Sequence, residues 1–435
     1  MRRSRHPLRA VAGPSAAEAA AEERLAAWCS QNGVWQGSAA LAVTHFPVPG
    51  AAGASYRGLR AVRDVAPGEL VAAIPLALCI HSQTAADWPH AGATPTARLA
   101  ARLLQEEALG GASHIAPWLA VLPRDMSELG LFSAPAAALA EDTQGYTPVL
   151  RMRALAEAAD ALAAPPTLAA LGGAASADAL AWSTVMVRTR AFELGRTATD
   201  PCILAFVPWL DMMNHAQEDP HLEWAWNAAS GRMEVVAARA IKAGEEATVS
   251  YGRRDHDGFL LWGGFVSPEE NPADAVEVFS SLADAASWWS VSGVGAGLAG
   301  REQSSVSGAE AAAVAAAVDA AARAEAAAAV EQGGERDPLR TAVCLGAGWQ
   351  VDERLVDLLE ALAIREEGLG RQLAERAAVA AVRLRAAQVL SRWPTTVEED
   401  EALLQAGGMT HHKALCVQFR AAKKRLLLTY LEGDT

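Results

Sequence analysis

Cysteine is scarce in this 435-residue sequence: Cys29, Cys79, Cys202, Cys344 and Cys416 are scattered, odd in number and without a CxxC pair. That excludes a disulfide framework and a thiolate zinc site, and suits an intracellular, reducing compartment. Basic charge is also short, with 37 Lys and Arg against 51 Asp and Glu and a formal net charge of -14. Such a balance leaves no electrostatic footprint for nucleic acid and repels acidic lipid surfaces, so a basic partner suits the chain better than either. No run of 18 or more apolar residues occurs, so no segment reads as a membrane-spanning helix. A nucleophile elbow of the Gly-x-Ser-x-Gly kind is missing too. Gly295-Ala-Gly297-Leu-Ala-Gly300 spells GxGxxG with Asp319 downstream, but no convincing strand precedes it and Asp319 lies in an alanine tract; it reads as a loop. His215, His221, His256, Cys202 and the pair His411-His412 fit no H-x3-H or HExxH spacing, and adjacent histidines point apart on a helix; no metal is expected.

What is present divides by texture. Residues 1–22 carry Arg2, Arg3, Arg5 and Arg9 ahead of any acid, and read as a flexible basic tail or an organelle transit segment, which leaves chloroplast, cytoplasm and nucleus open. A short amphipathic helix follows, stopped at Gly33. Brief apolar runs around Arg57-Gly58 and Pro67-Gly68 predict two strands joined by a turn. From about residue 94 to 185 long Ala/Leu segments have helical periodicity. Strand signal returns in "ILAFVPWL", "GRMEVVAARA", "EEATVSYG" and "GGFV". A boundary falls near residue 273, giving a domain over 23–272 with a helical insert and a helical domain over 273–435, within which 296–336 is an Ala-rich, low-complexity stretch.

Polar and aromatic residues gather at the edges of the predicted strands: Arg57-Gly58-Leu59, Arg190, Asp211, Asn214-His215 and Tyr251. Singly, each has a structural role to hand: a turn glycine, a salt-bridged arginine, a capping aspartate, a turn asparagine, a tyrosine packing its ring. In this order they resemble the SET domain of protein methyltransferases, and specifically the subfamily that includes Rubisco large-subunit lysine methyltransferase. "RGLRAVRDVAPGELVAAIP" resembles that family's first cofactor-contacting turn, "APWLAVLP" its helical insert and "VRTRAF" its Ser-Arg-Ala-Phe segment, with Thr189 for the serine. "VPWLDMMNH" is similar to the Asp-Met-x-Asn-His signature, "AGEEATVSYG" to the strand ending in the catalytic-site tyrosine, and "GGFVSPEEN" to the closing Tyr-Gly-Phe segment. "LSRWPTTVEEDEALL" and "QFRAAKKRLL" resemble the helical substrate-binding domain.

The resemblance implies an α+β fold: a mixed-β, pseudoknotted SET domain with a helical insert, followed by an all-α substrate-binding domain. It implies S-adenosylmethionine as methyl donor, held by Arg57, Gly58, Leu59, Arg190, Asn214, His215 and Tyr251, and methylation of a lysine on a non-histone protein partner by a monomer. Tyr251 is then the catalytic residue, with Thr189, Arg190, Phe192, Asp211 and Phe265 toward the substrate. The in-line displacement needs a neutral amine and no metal. There are departures: Asp255-His256 stands where many relatives have Ser-Asn, Arg60 where a second glycine often sits, and Gly263 where the large-subunit enzyme has a second tyrosine. The missing hydroxyl and expected extra space at Gly263 leave the degree of methylation open. A branch of the same family methylates actin histidine; it typically has Trp before the signature Asp and Asn two residues after the signature Arg, where Leu210 and Phe192 stand here. This favours lysine. A non-catalytic adaptor that binds a protein through the helical domain is the other class of function.

Overall fold

The computed structural model describes residues 11–12, 14–35, 39–47, 54–82, 94–124, 134–172, 175–195, 203–267, 270–294, 316, 342–365 and 368–432. Cys202, the Gly295–Gly300 motif, Asp319 and all of the 296–336 stretch except residue 316 lie outside the described residues. The chain divides into two compact units, Met1–Glu270 with Met409–Cys416, and Asn271–Gly408 with Val417–Thr435.

Helix α1 (Ala16–Gln31) starts at a capping box in which Ser15 Oγ accepts from the Glu18 amide at 3.2 Å and Glu18 accepts from the Ser15 amide at 2.8 Å. The expected tail through residue 22 is corrected by that cap, which begins the helix at Ala16. The strands of the first unit are β1 (Val11–Ala12), β2 (Leu41–Pro47), β3 (Ala54–Ala61), β4 (Leu70–Pro75), β5 (Ile80–His81), β6 (Phe192–Gly195), β7 (Ile203–Phe206), β8 (Asn214–His215), β9 (Leu222–Asn227), β10 (Arg232–Ala237) and β11 (Glu246–Val249). Eight of them form one sheet in the order β1-β3-β11-β9-β10-β4, with β2 added on β3 and β8 on β11. Strands β3 and β4 are joined by a turn that Gly68 permits at φ +79°, yet they do not pair with each other: β3 pairs with β2 and β11, and β4 with β10. Strand β11 is the hub for the site, because it runs antiparallel to β3 and parallel to both β8 and β9. A second sheet, β5-β7-β6, is antiparallel.

Between β5 and β6 the chain forms α2 (Pro95–Leu109), α3 (Ala116–Leu119), α4 (Ala136–Asp142), α5 (Thr147–Ala170) and α6 (Ala177–Arg190). Thr94 caps α2, with Pro95 in the first turn where its missing N–H costs nothing, and Ser176 caps α6. The core beneath these layers contains the fully buried Leu59, Phe206, Val207, Leu210, Ala247 and Val249. After β11 comes a short helix, α7 (His256–Gly258), and a π-helical turn, Phe259–Gly263, ended by Gly264 at φ +69°. The strand expected at "GGFV" is therefore corrected: this stretch is the end of the turn and the coil that leaves it.

In the second unit helices dominate: α8 (Leu282–Ser292), α9 (Glu353–Arg365), α10 (Arg371–Leu390), α11 (Val397–Ala406) and most of α12 (His411–Glu432). The all-α expectation needs one correction, a small antiparallel sheet of β12 (Ala275–Phe279), β13 (Val343–Gly346) and β14 (Gln350–Val351). This unit also buries a charged cluster. Asp400 receives Arg420 at 2.7 Å and Lys424 at 2.6 Å, and Lys423 reaches Asp274 at 2.6 Å.

Candidate active site

The stretch between β7 and β8 has to turn from a buried strand to a polar end within seven residues, and it does so through an unusual backbone. Trp209, 2% exposed, holds φ +74°, a conformation that costs a non-glycine residue about 1–3 kcal/mol, and its ring packs against Trp35 at 5.5 Å. A 3₁₀ turn over Leu210–Met212 follows. It sends the Asp211 side chain inward, where the carboxylate accepts from Trp118 Nε1 at 3.1 Å and faces Arg190 Nη1 at 3.4 Å. Burial pushes the Asp211 carboxyl up, against the opposing pull of Arg190 and Arg57. With a side chain 0% exposed, Asp211 has no oxygen to offer a substrate, so its expected substrate contact is corrected to a role in holding Arg190.

Asn214 and His215 then lie beside β11, paired with Thr248 and Val249. The Asn214 amide does not point into open space. Its Nδ2 donates to the Arg57 carbonyl at 2.8 Å and to Glu246 Oε1 at 2.7 Å, tying β8 to β3 and β11 at once. Gly58 makes this possible, because a Cβ there would lie 2.7 Å from both Asn214 Nδ2 and Glu246 Oε1. The other Glu246 oxygen accepts from Tyr56 Oη at 2.8 Å, and burial beside that carboxylate pushes the Tyr56 phenol up. His215, 4% exposed, accepts the Tyr251 amide on Nδ1 at 3.0 Å and lies 3.0 Å from Gln217 Oε1 through Nε2. An acceptor at Nδ1 and a carbonyl oxygen at Nε2 assign the neutral imidazole with its proton on Nε2.

Tyr251 closes the arrangement. Its hydroxyl donates to the Met213 carbonyl at 2.6 Å, so both its backbone and its phenol are anchored to the Met213–His215 segment. Burial pushes the pKa of the phenol up, opposed by Arg190, and the group stays an O–H. Around it stand aromatic rings: His215 at 5.2 Å, Phe265 at 6.2 Å, and Phe259 4.7 Å from His215 and 4.8 Å from Phe265. The Phe265 ring lies over Gly263, where a Cβ would come within 2.7 Å of it. The extra space expected from Gly263 is thus corrected: Phe265 fills it.

The remaining expected residues are spread more widely. Arg57 donates from Nη1 to the Val121 carbonyl at 2.8 Å, and Leu59 is fully buried in the core, which leaves its backbone alone for any ligand. Thr189 returns its hydroxyl to the Val185 carbonyl at 2.9 Å, an ordinary intrahelical bond. Arg190 ends α6 with Nη1 on Asp211, while its buried Nε has no hydrogen-bond partner among the described residues. Phe192 meets Trp224 edge to face at 5.1 Å. His221 bonds Thr248 at 2.9 Å, His256 is buried, and Asp255 caps α7 by accepting from Gly258. Among the described residues no group of three or more His, Cys, Asp or Glu side chains is placed to hold a metal ion. No described helix is long and apolar enough to cross a membrane. Sequence reasoning missed Glu246, Tyr56, Trp118 and Gln217. Only Glu246 carried a usable signal, since alternation along β11 sets it on a strand five residues before Tyr251.

A SET domain family model matches residues 56–252, and a model for Rubisco LSMT substrate-binding matches residues 352–427. The chain carries a SET domain and a Rubisco LSMT substrate-binding domain. The SET match takes in Arg57, Arg190, Asn214, His215, Glu246 and Tyr251. Over 283 residues, 59% of this chain and 50% of the relative, the sequence is 27% identical to an actin-histidine N-methyltransferase of Drosophila melanogaster. Over 246 residues, 57% of this chain and 40% of the relative, it is 24% identical to the actin-histidine N-methyltransferase of Xenopus tropicalis. The chain thus spans half or less of the length of these curated relatives. Among solved structures, LSMT bound to lysine and AdoHcy is similar to this chain, with 16% identity, TM-score 0.62, and 96% of this chain and 91% of that one covered. Rubisco LSMT bound to AdoMet is similar as well, with 15% identity, TM-score 0.60 and coverage of 94% and 90%. At such identities the likeness concerns the fold.

Proposed function

We propose that the SET domain transfers a methyl group from S-adenosylmethionine to a side-chain nitrogen of a protein, with lysine as the target, and that the second unit docks that protein. The observation that carries this reading is the anchored tyrosine: Tyr251 with its hydroxyl donated to the Met213 carbonyl and its amide on His215. The buried Arg190 Nε, without a partner among the described residues, fits a ligand with polar acceptors. Arg190 and the backbone around Gly58 and Asn214-His215 would hold S-adenosylmethionine, which supplies an electrophilic methyl on a sulfonium when bound.

The chain's own residues do the rest. With its proton given to Met213, the Tyr251 oxygen keeps its lone pairs free to accept, so it can take an N–H of a neutral amine and aim the nitrogen lone pair. A phenol whose pKa is pushed up stays protonated and is no general base; its work is positioning and charge stabilisation. Lysine has a reference pKa of about 10.4, and the apolar rings of Phe259 and Phe265 disfavour its charged form. Phe265 also offers a π face to the cationic product.

Phe192 supports lysine over histidine, because an imidazole needs one ring nitrogen held by a hydrogen bond and a phenyl ring has none to give. Histidine is the second reading, favoured by the curated relatives, which are actin-histidine N-methyltransferases. Incubation with labelled S-adenosylmethionine and a protein lysate, then acid hydrolysis of the labelled band, tests both: methyl-lysine is expected, methylhistidine transfers the target to the second reading, and no labelled protein rejects the activity.

A further inference from the structure

A cavity of about 630 Å³ opens in the first unit between the two segments that carry the site, since Arg188 lies just ahead of Thr189 and Arg190, and Arg253, Arg254 and Asp255 follow Tyr251. Trp262 forms another wall, with the Arg188 guanidinium 5.4 Å from its ring centre. Its lining holds three arginines and one carboxylate, in a chain whose formal net charge is -14. The three cations differ in company. Arg188 pairs with Asp160 at 2.7 Å, and Arg254 lies in the field of Glu193 and Asp255. One Asp255 oxygen is taken by the Gly258 amide at 2.8 Å. Arg253 is exposed and makes no ion pair among the described residues.

We infer that this recess receives an acidic side chain of the protein substrate, paired with Arg253 and placed within about four residues of the methylated side chain. The spacing follows from the chain itself: a single residue, Gly252, separates Tyr251 from Arg253, so their Cα atoms are at most about 7 Å apart, and a substrate strand crossing Tyr251 reaches the recess within a few residues. The pairing follows from charge. A substrate attracted to an acidic protein is basic on the whole, and one carboxylate at a fixed offset from the target sets register where the rest of the surface is indifferent. This inference rests on the proposed methyl transfer for the words "methylated side chain", though the recess itself does not.

The test reads binding separately from catalysis. A random peptide library with a central lysine is selected on the full chain, on Arg253→Gln and on Arg253→Glu, without methyl donor. Wild type is expected to enrich Asp or Glu within four residues of the lysine, Arg253→Gln to lose about 3-fold of that enrichment, and Arg253→Glu to reverse the preference toward Lys and Arg. Arg253 has no ion pair to lose, so thermal melts of the three proteins should coincide. No acidic enrichment by wild type, or the same enrichment by Arg253→Glu, overturns the inference. Calorimetric binding of inorganic phosphate in the absence of any peptide preference makes the recess a small-anion site and overturns it too. Peptides that are enriched as expected but accept no labelled methyl group count against the proposed activity and leave the recess standing.

Discussion

Replacing Asn214 by aspartate changes one NH₂ into an oxygen and reverses both bonds that this amide makes. In the native chain Nδ2 donates at 2.8 Å to the Arg57 carbonyl and at 2.7 Å to Glu246 Oε1, so the variant faces two acceptors with a third. The bond to the carbonyl is worth about 0.5–1.5 kcal/mol and the one to a carboxylate about 1.5–3 kcal/mol, a loss of about 2–4.5 kcal/mol before any repulsion. Repulsion between two carboxylates disappears if they share a proton, which raises the pKa of the folded pair above its unfolded value. The sign is then fixed: the destabilisation is greatest above the folded pKa and shrinks as pH falls through it toward the unfolded value. Hydrogen exchange of the β3, β8 and β11 amides, read by mass spectrometry, reports it locally. Exchange about 30-fold or more faster than wild type at pH 8 is expected, since about 2 kcal/mol is a factor of about 30. The gap should narrow at pH 5 after correction for intrinsic exchange. Asn214→Ala should show a loss of similar size that pH does not recover. Protection in Asn214→Asp equal to wild type at pH 8 would refute the bridging role of the amide.

Tyr251→Phe keeps the ring among His215 and Phe265 and removes the hydroxyl, so donor affinity should hold while kcat falls about 10²-fold or more. An unchanged kcat in a methyl-transfer assay reduces Tyr251 to a packed aromatic. The wild-type rate should rise with pH toward the pKa of the bound amine, a trend absent if the nucleophile is already neutral at pH 7. Gly263→Ala drives a methyl into the Phe265 ring and should cost about 1–3 kcal/mol in thermal melts; the penalty should shrink in a Phe265→Leu background, and an equal penalty there removes the clash as its cause. In the second unit, burial pushes the Asp400 carboxyl up but Arg420, Lys424 and Thr395 outweigh it and hold it below its ordinary range. Its stabilisation is therefore complete above the unfolded carboxylate pKa and lost as pH falls through the lower, folded one. Asp400→Asn should cost about 3–5 kcal/mol at neutral pH in urea unfolding and flatten the acid limb; wild-type stability in that variant excludes the cluster as a support.

Legibility followed pattern. Strand β10 could be read because its residues alternate between buried and half-buried faces, and α2 and α6 because they lie in the Ala/Leu segments of helical periodicity. Asn214, His215 and Tyr251 stood out by order and residue type, and the structure bonds Tyr251 to His215 and to the Met213 carbonyl and Asn214 to Arg57 and Glu246. Their partners were hidden, since a backbone carbonyl such as that of Met213 has no letter in a sequence and Glu246 meets Asn214 across 32 positions. Strand β2 was missed because Pro47 and the glycine-rich residues after it read as loop, and β13 because it follows a long alanine tract. Asp211 and Leu59 were given ligand contacts by the family resemblance; burial, which a sequence shows only as tendency, turned both side chains inward.

Titration of the purified chain with S-adenosylmethionine in a calorimeter bears most directly on the SET-domain site. One molecule bound per chain is expected, with the heat lost in Asn214→Asp, whose crossing no longer holds Arg57, Asn214 and Glu246 in register, and retained in Tyr251→Phe. A folded wild-type chain that gives no heat, and no thermal shift, at millimolar S-adenosylmethionine would contradict the assignment of this site to a methyl donor.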